Sequence, residues 1–142
     1  MPHKTDAGTG SLEQMTLAEF CKKQFDTHIK SLRVELKNKS NAMCNAIDKY
    51  FGSSADYIKP DGGIFIWINM PKNVDTSRLY DLALKQGVAI NPGSDWSINE
   101  NGRHKIRLCF GNPSVLDIDE GIKLLAQICQ KEFGVPIQIA NL

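Results

Sequence analysis

The chain is 142 residues long, 42% hydrophobic and 23% charged, with a formal net charge of +1. That length makes one domain, or a piece of a larger one, and a core of this size needs no covalent staple. Near-neutral charge gives no reason to expect a nucleic acid or an anionic membrane as partner, and no apolar run approaches the roughly 18 residues that cross a bilayer.

Met1 to Ser11 is polar and glycine-bearing, without periodicity, and reads as a loop. It lacks the apolar core of a secretion signal. A short helix is predicted next over "SLEQMTLAEFCKK", with Leu12, Met15, Phe20 and Cys21 as its apolar contacts. The strongest helical pattern follows. Phe25, Ile29, Leu32, Leu36, Met43, Ile47 and Tyr50 are spaced by threes and fours, apart from a polar gap at Lys39 and Ser40. This predicts a helix from Asp26 to Phe51, stopped by Gly52 and laid across a sheet. A coiled coil would need an unbroken stripe over more heptads. Lys30, Arg33, Lys37 and Lys39 then form a solvated face.

"DYIKPDGG" and "IFIWINMP" flank the turn signal Pro60-Asp61-Gly62-Gly63 and predict a hairpin. Alternation sends Ile64, Ile66 and Ile68 to one face, Phe65 and Trp67 to the other. A strand apolar on both faces needs cover on both. "NVDTSRLYDLALKQG" is a helix capped by Asp75, stapled by Val74 and Leu79, and ended at Gly87. A short strand, "VAINPG", and a polar loop, "SDWSINENGRH", lead to the strand "HKIRLCFGN". The last helix starts near Ser114, with Asp117 completing a capping box, and stops before Gly134 and Pro136. The order predicts an α+β fold: a two-layer sandwich with a mainly antiparallel sheet, covered on one face by the long helix and two further helices.

Most chemistries lack support. His3, His28 and His104 lie far apart with no ligands at metal spacing around them. No G-x-S-x-G elbow is present. Cys21, Cys44, Cys109 and Cys129 form no C-x-x-C pair and sit among apolar residues, which predicts reduced core thiols in a cytoplasmic protein. "GTGS" at Gly8 to Ser11 lacks the lysine and strand of a phosphate loop. Asp117, Asp119 and Glu120 suit the first turn of a helix through its dipole, with no catalytic role needed. Arg107 stands apart. It alternates with Ile106 and Leu108, and its outward face carries Cys109 with Phe65 and Trp67 on a neighbouring strand. An always-charged planar fork at the edge of an apolar face is suited to bidentate capture of a carboxylate. A plain surface arginine is the alternative.

"KPDGGIFIWINMP", "LALKQGVAINPGSDW" and "HKIRLCFGNPS" resemble, in order and spacing, the small C-terminal domain of fold-type-I (class I/II) pyridoxal-phosphate aminotransferases. The branch holding 2-aminoadipate aminotransferases and aminotransferase-like transcription regulators is the most similar. Residues 1–24 resemble the segment that joins the large domain to the small one, and 25–142 the small domain. The resemblance implies that Arg107 binds the substrate α-carboxylate and that Gly62 and Gly63 lie near the substrate entrance. It implies pyridoxal 5'-phosphate as cofactor, amino acids and 2-oxo acids as substrates, and a homodimer for the full-length protein. The cofactor-linking lysine and the aspartate that pairs with the pyridine nitrogen belong to the large domain, and neither has a counterpart here. The expectation is therefore a fragment: without cofactor, inactive alone, prone to self-association, and without a nucleic-acid or membrane partner. A free-standing module for a small carboxylate or protein, and the effector domain of a regulator, are the alternatives.

Overall fold

The computed structural model describes residues 10–97 and 102–138. The chain divides into two compact units, Met1–Glu35 and Leu36–Leu142. One helix, α1 (Ser11–Phe51), enters both. The two helices expected from the sequence are thus one. Nothing at the junction, "KKQFD", can stop a helix: it holds no glycine or proline, and Lys and Gln are good helix formers.

In the first unit the helix is exposed. Leu12, Met15, Leu17 and Phe25 are large apolar side chains in the open, and Cys21 is exposed too, not a core thiol. Glu19 pairs with Lys23 one turn on, and Phe20 meets the His28 ring edge-on at 5.5 Å. Leu12, Met15 and Cys21, predicted as apolar contacts, are thus exposed, while Phe20 is half-buried.

The second unit contains the sheet. Its strands are β1 (Asp56–Tyr57), β2 (Phe65–Asn69), β3 (Asn91–Pro92) and β4 (Lys105–Cys109), ordered β1-β2-β4-β3 with every pair antiparallel. The hairpin is present, though β1 has only two paired residues, Asp56 opposite Asn69 and Tyr57 opposite Ile68. β2 and β4 pair over their full length: Phe65 opposite Cys109, Trp67 opposite Arg107, Asn69 opposite Lys105. Gly63 adopts φ 79°, a left-handed conformation that favours glycine in the turn before β2.

One core fills the layer between helices and sheet. Met43, Ile47 and Phe51 of α1 meet Ile66, Ile68, Ile106 and Leu108 of the sheet within it. α2 (Thr76–Lys85) and α3 (Val115–Phe133) add Leu79, Ala83, Ile118, Leu125 and Cys129. Ser40, in the polar gap of the α1 stripe, is buried. Lys39, expected in solvent, is half-buried and donates to the Gly111 carbonyl at 3.1 Å. The caps stand as the sequence predicts. Asp75 Oδ1 accepts from Ser77 and Arg78 N–H at 3.0 Å, Ser114 and Asp117 form a reciprocal capping box, and Gly134 closes α3 at φ 66°.

Other polar groups tie the helices together. Tyr50 Oη donates to Asp119 Oδ2 at 2.8 Å and Lys49 Nζ to Oδ1 at 3.0 Å. These bonds hold the Asp119 carboxyl below its ordinary range, the tyrosine bond contributing most. Among the described residues no helix is long and apolar enough to cross a membrane.

Candidate functional site

The outer face of the sheet carries the site. Phe65 and Trp67 on β2 remain 37% and 41% exposed, while Ile66 and Ile68, which alternate with them, are 1% and 0% exposed. Trp67 lies opposite Arg107 in the ladder, and Asn91 of β3 lies opposite Arg107 on the other side. The arginine thus sits on a central strand, between two neighbours, and is half-buried.

Two aromatic rings pack against its guanidinium. Cζ stands 3.7 Å from the Trp96 ring centroid and 4.1 Å from that of Phe65. Each is a cation–π contact, worth about 0.5–2 kcal/mol depending on desolvation. Trp96 reaches this position through the 3₁₀ turn Gly93–Trp96, which follows β3 directly. Two glycines allow that turn to close. A Cβ on Gly93 would collide with the Gly102 carbonyl oxygen, and one on Gly102 with the Gly93 carbonyl oxygen.

Arginine has five N–H donors, all in the guanidinium plane. Nη2 makes a long bond to Asn91 Oδ1 at 3.5 Å, and Nε is buried without a partner. No described carboxylate pairs with Arg107. A buried donor left unpaired costs about 1–3 kcal/mol, so the arrangement favours an incoming planar acceptor at the edge of the fork. Beside it opens a cavity of about 500 Å³, whose walls include Ile58, Phe65, Trp67 and Trp96, with Asn69 and Lys105 as polar groups. Arg107 does not line this cavity but touches two of its walls, Phe65 and Trp96, and Lys105 supplies positive charge within it.

Gly62 and Gly63 lie exposed in the turn before β2, with open space where a Cβ would stand. They connect to the site through Phe65, two residues further on. The sequence reading missed Trp96 and Asn91. Trp96 is a lone aromatic in a polar loop, and the Pro92-Gly93 turn that folds it back over β4 was the available signal.

The described residues do not fit pyridoxal phosphate. A lysine that links to that cofactor must be held dry, yet every described lysine is exposed or half-buried, and Lys105 at the cavity is exposed. No described group of His, Cys, Asp and Glu could hold a metal. The buried thiols are poor nucleophiles, since burial pushes Cys129 up to about 12 and raises Cys44.

Comparison with known proteins places the chain in a class. No family model matches it. It is 32% identical over 130 residues to an uncharacterized aminotransferase of Saccharolobus solfataricus, covering 91% of this chain and 32% of the relative. It is 31% identical over 129 residues to an uncharacterized HTH-type transcriptional regulator of Bacillus subtilis, covering 90% of the chain and 26% of the regulator. In structure it resembles LysN, the α-aminoadipate aminotransferase of Thermus thermophilus, solved with N-(5'-phosphopyridoxyl)-L-leucine. That match has TM-score 0.81 and 29% identity, and covers 89% of this chain and 32% of LysN. The homologues and structural neighbours are aminotransferases and aminotransferase-like regulators, and the part they share with this chain is the C-terminal domain. The chain spans about a third of the length of these relatives or less.

Proposed function

We propose that the chain is the substrate-carboxylate-binding domain of an aminotransferase that moves an amino group between an amino acid and a 2-oxo acid. Arg107 takes the α-carboxylate through its fork, and Gly62 and Gly63 border the substrate entrance. Residues 1–24 join the domain to a large domain that holds pyridoxal 5'-phosphate and its lysine, and the assembled protein is a cytoplasmic homodimer. The chain alone is inactive. The observation that carries this reading is Arg107 itself, a half-buried arginine packed against two rings with an unpartnered Nε.

The regulators among the relatives support a second reading, in which the same carboxylate chemistry senses an effector without turnover. Turnover in the assembled protein marks the enzyme, and effector-dependent DNA binding marks the regulator.

Calorimetric titration of the chain with 2-oxoglutarate tests the site that both readings share. Saturable binding on the order of millimolar is expected, and Arg107→Ala should abolish it. Equal binding by the variant would refute the assignment. Pyridoxal phosphate added to the chain should give no stoichiometric, site-specific lysine adduct and no transamination. Turnover by the chain alone would contradict the domain reading.

A further inference from the structure

Trp96 is 57% exposed, yet its ring lies 3.7 Å from the Arg107 guanidinium. An aromatic ring so open contributes little to the core. The turn that carries it nevertheless depends on the close approach of Gly93 and Gly102, where no side chain fits. From the stacked ring and this closed turn we infer that Trp96 is a positioning residue, which holds the guanidinium of Arg107 in the plane needed to take a carboxylate. The inference rests on the carboxylate reading of Arg107 and adds what makes that arginine effective.

A free arginine side chain carries rotamer entropy, much of which a ligand must otherwise overcome. The stack removes that freedom before the ligand arrives. The Phe65 ring centroid lies 4.1 Å and the Trp96 ring centroid 3.7 Å from Cζ, so two rings pack against the guanidinium. Because the N–H donors lie in the guanidinium plane, two rings packed against Cζ leave the edge of the fork as the route of approach. Asn91 Oδ1 takes only one donor, Nη2, at 3.5 Å. Nε stays buried and unpartnered. The result is a slot that presents a planar fork to a planar acceptor.

The test uses the full chain, with 2-oxoglutarate as probe and the Arg107 Nε–H proton followed by nuclear magnetic resonance. In the free chain, the ring currents of Trp96 and Phe65 shift that proton upfield. Trp96→Ala should move it downfield and weaken 2-oxoglutarate binding about tenfold, the scale of one partly desolvated cation–π contact. Trp96→Phe, which retains a π face, should restore the shift and most of the affinity. Trp96→Leu separates stacking from mere apolar cover: it should behave like the alanine variant if the ring positions Arg107. Leucine binding as well as tryptophan would overturn the inference, as would unchanged affinity in Trp96→Ala. If Arg107→Ala abolishes binding in those cases, the carboxylate reading still stands. Undiminished binding by Arg107→Ala, or no binding by the parent chain, would overturn both.

Discussion

The two faces of β2 differ by one residue in sequence and belong to different parts of the protein. Ile66 and Ile68 point into the core and are sealed, while Phe65 and Trp67 point outward and stay partly open. Both sets are apolar, so hydrophobicity alone does not say which face is structural. The partner on β4 does. Opposite the outward Trp67 stands Arg107, and opposite the inward Ile68 stands Ile106. An apolar face with an arginine on a central strand is a candidate binding surface; an apolar face with more isoleucine is a core.

The comparison can be broken first at its inner face. Ile106→Ala should lower unfolding free energy by about 2–5 kcal/mol, because a sealed core cannot refill the cavity. Trp67→Ala, on the adjoining strand but facing out, should cost far less. Denaturant unfolding of the two would contradict the account if the order were reversed. Gly102→Ala comes next. Its new Cβ meets the Gly93 backbone, an overpacking worth about 1–3 kcal/mol, and should move the Trp96 turn and change tryptophan fluorescence. Unchanged fluorescence and stability would show the turn to be slack.

Smaller effects lie at the helix ends. Ser114→Ala removes one half of the α3 capping box and should cost about 1 kcal/mol in thermal or chemical unfolding. Asp117 and Asp119 both titrate below the ordinary value of 3.8, held down by bonds from Ser114 and Tyr50 respectively. A folded pKa below the unfolded one gives stability that is present above about pH 4 and lost as pH falls through the folded value. Asp119→Asn should therefore flatten the fall in stability below pH 4, with little effect at pH 7 beyond the lost bonds. An acid limb as steep as the parent's would remove Asp119 from the account. The smallest effect is expected at Arg107 itself. Arg107→Ala loses two ring contacts but also removes a buried, unpaired Nε. The two nearly cancel, leaving stability within about 0.5 kcal/mol. A large loss would make Arg107 a structural residue.

Where the determinants are local, the sequence foretells the structure. The Asp75 cap, the Ser114–Asp117 box and the glycine stop at Gly134 each act within a few residues, and each is found. The two-faced strand is also local, because alternation needs only neighbours in the chain. The failures are of a different kind. Gln24 and Phe25 look like a seam only because the apolar stripe restarts there, while helix continuity depends on the absence of a breaker. Lys39 is withdrawn from solvent by the Gly111 carbonyl, 72 residues away in sequence. Trp96 and Asn91 meet Arg107 only through strand register and the contact between Gly93 and Gly102. Pro92-Gly93 signals a turn there, but not that Gly102 closes it against β4, which is why the arginine could be singled out and its clamp could not.

The central claim is that the outer face, through Arg107, binds carboxylate while the inner face only holds the fold. Nuclear magnetic resonance during a 2-oxoglutarate titration reads both faces at once. The Arg107 Nε–H and the Trp67 and Trp96 indole N–H signals should shift and saturate together. The methyl signals of Ile66, Ile68 and Ile106 should hold still. Saturating shifts that leave the Arg107 Nε–H unmoved, or that persist in Arg107→Ala, would contradict the claim.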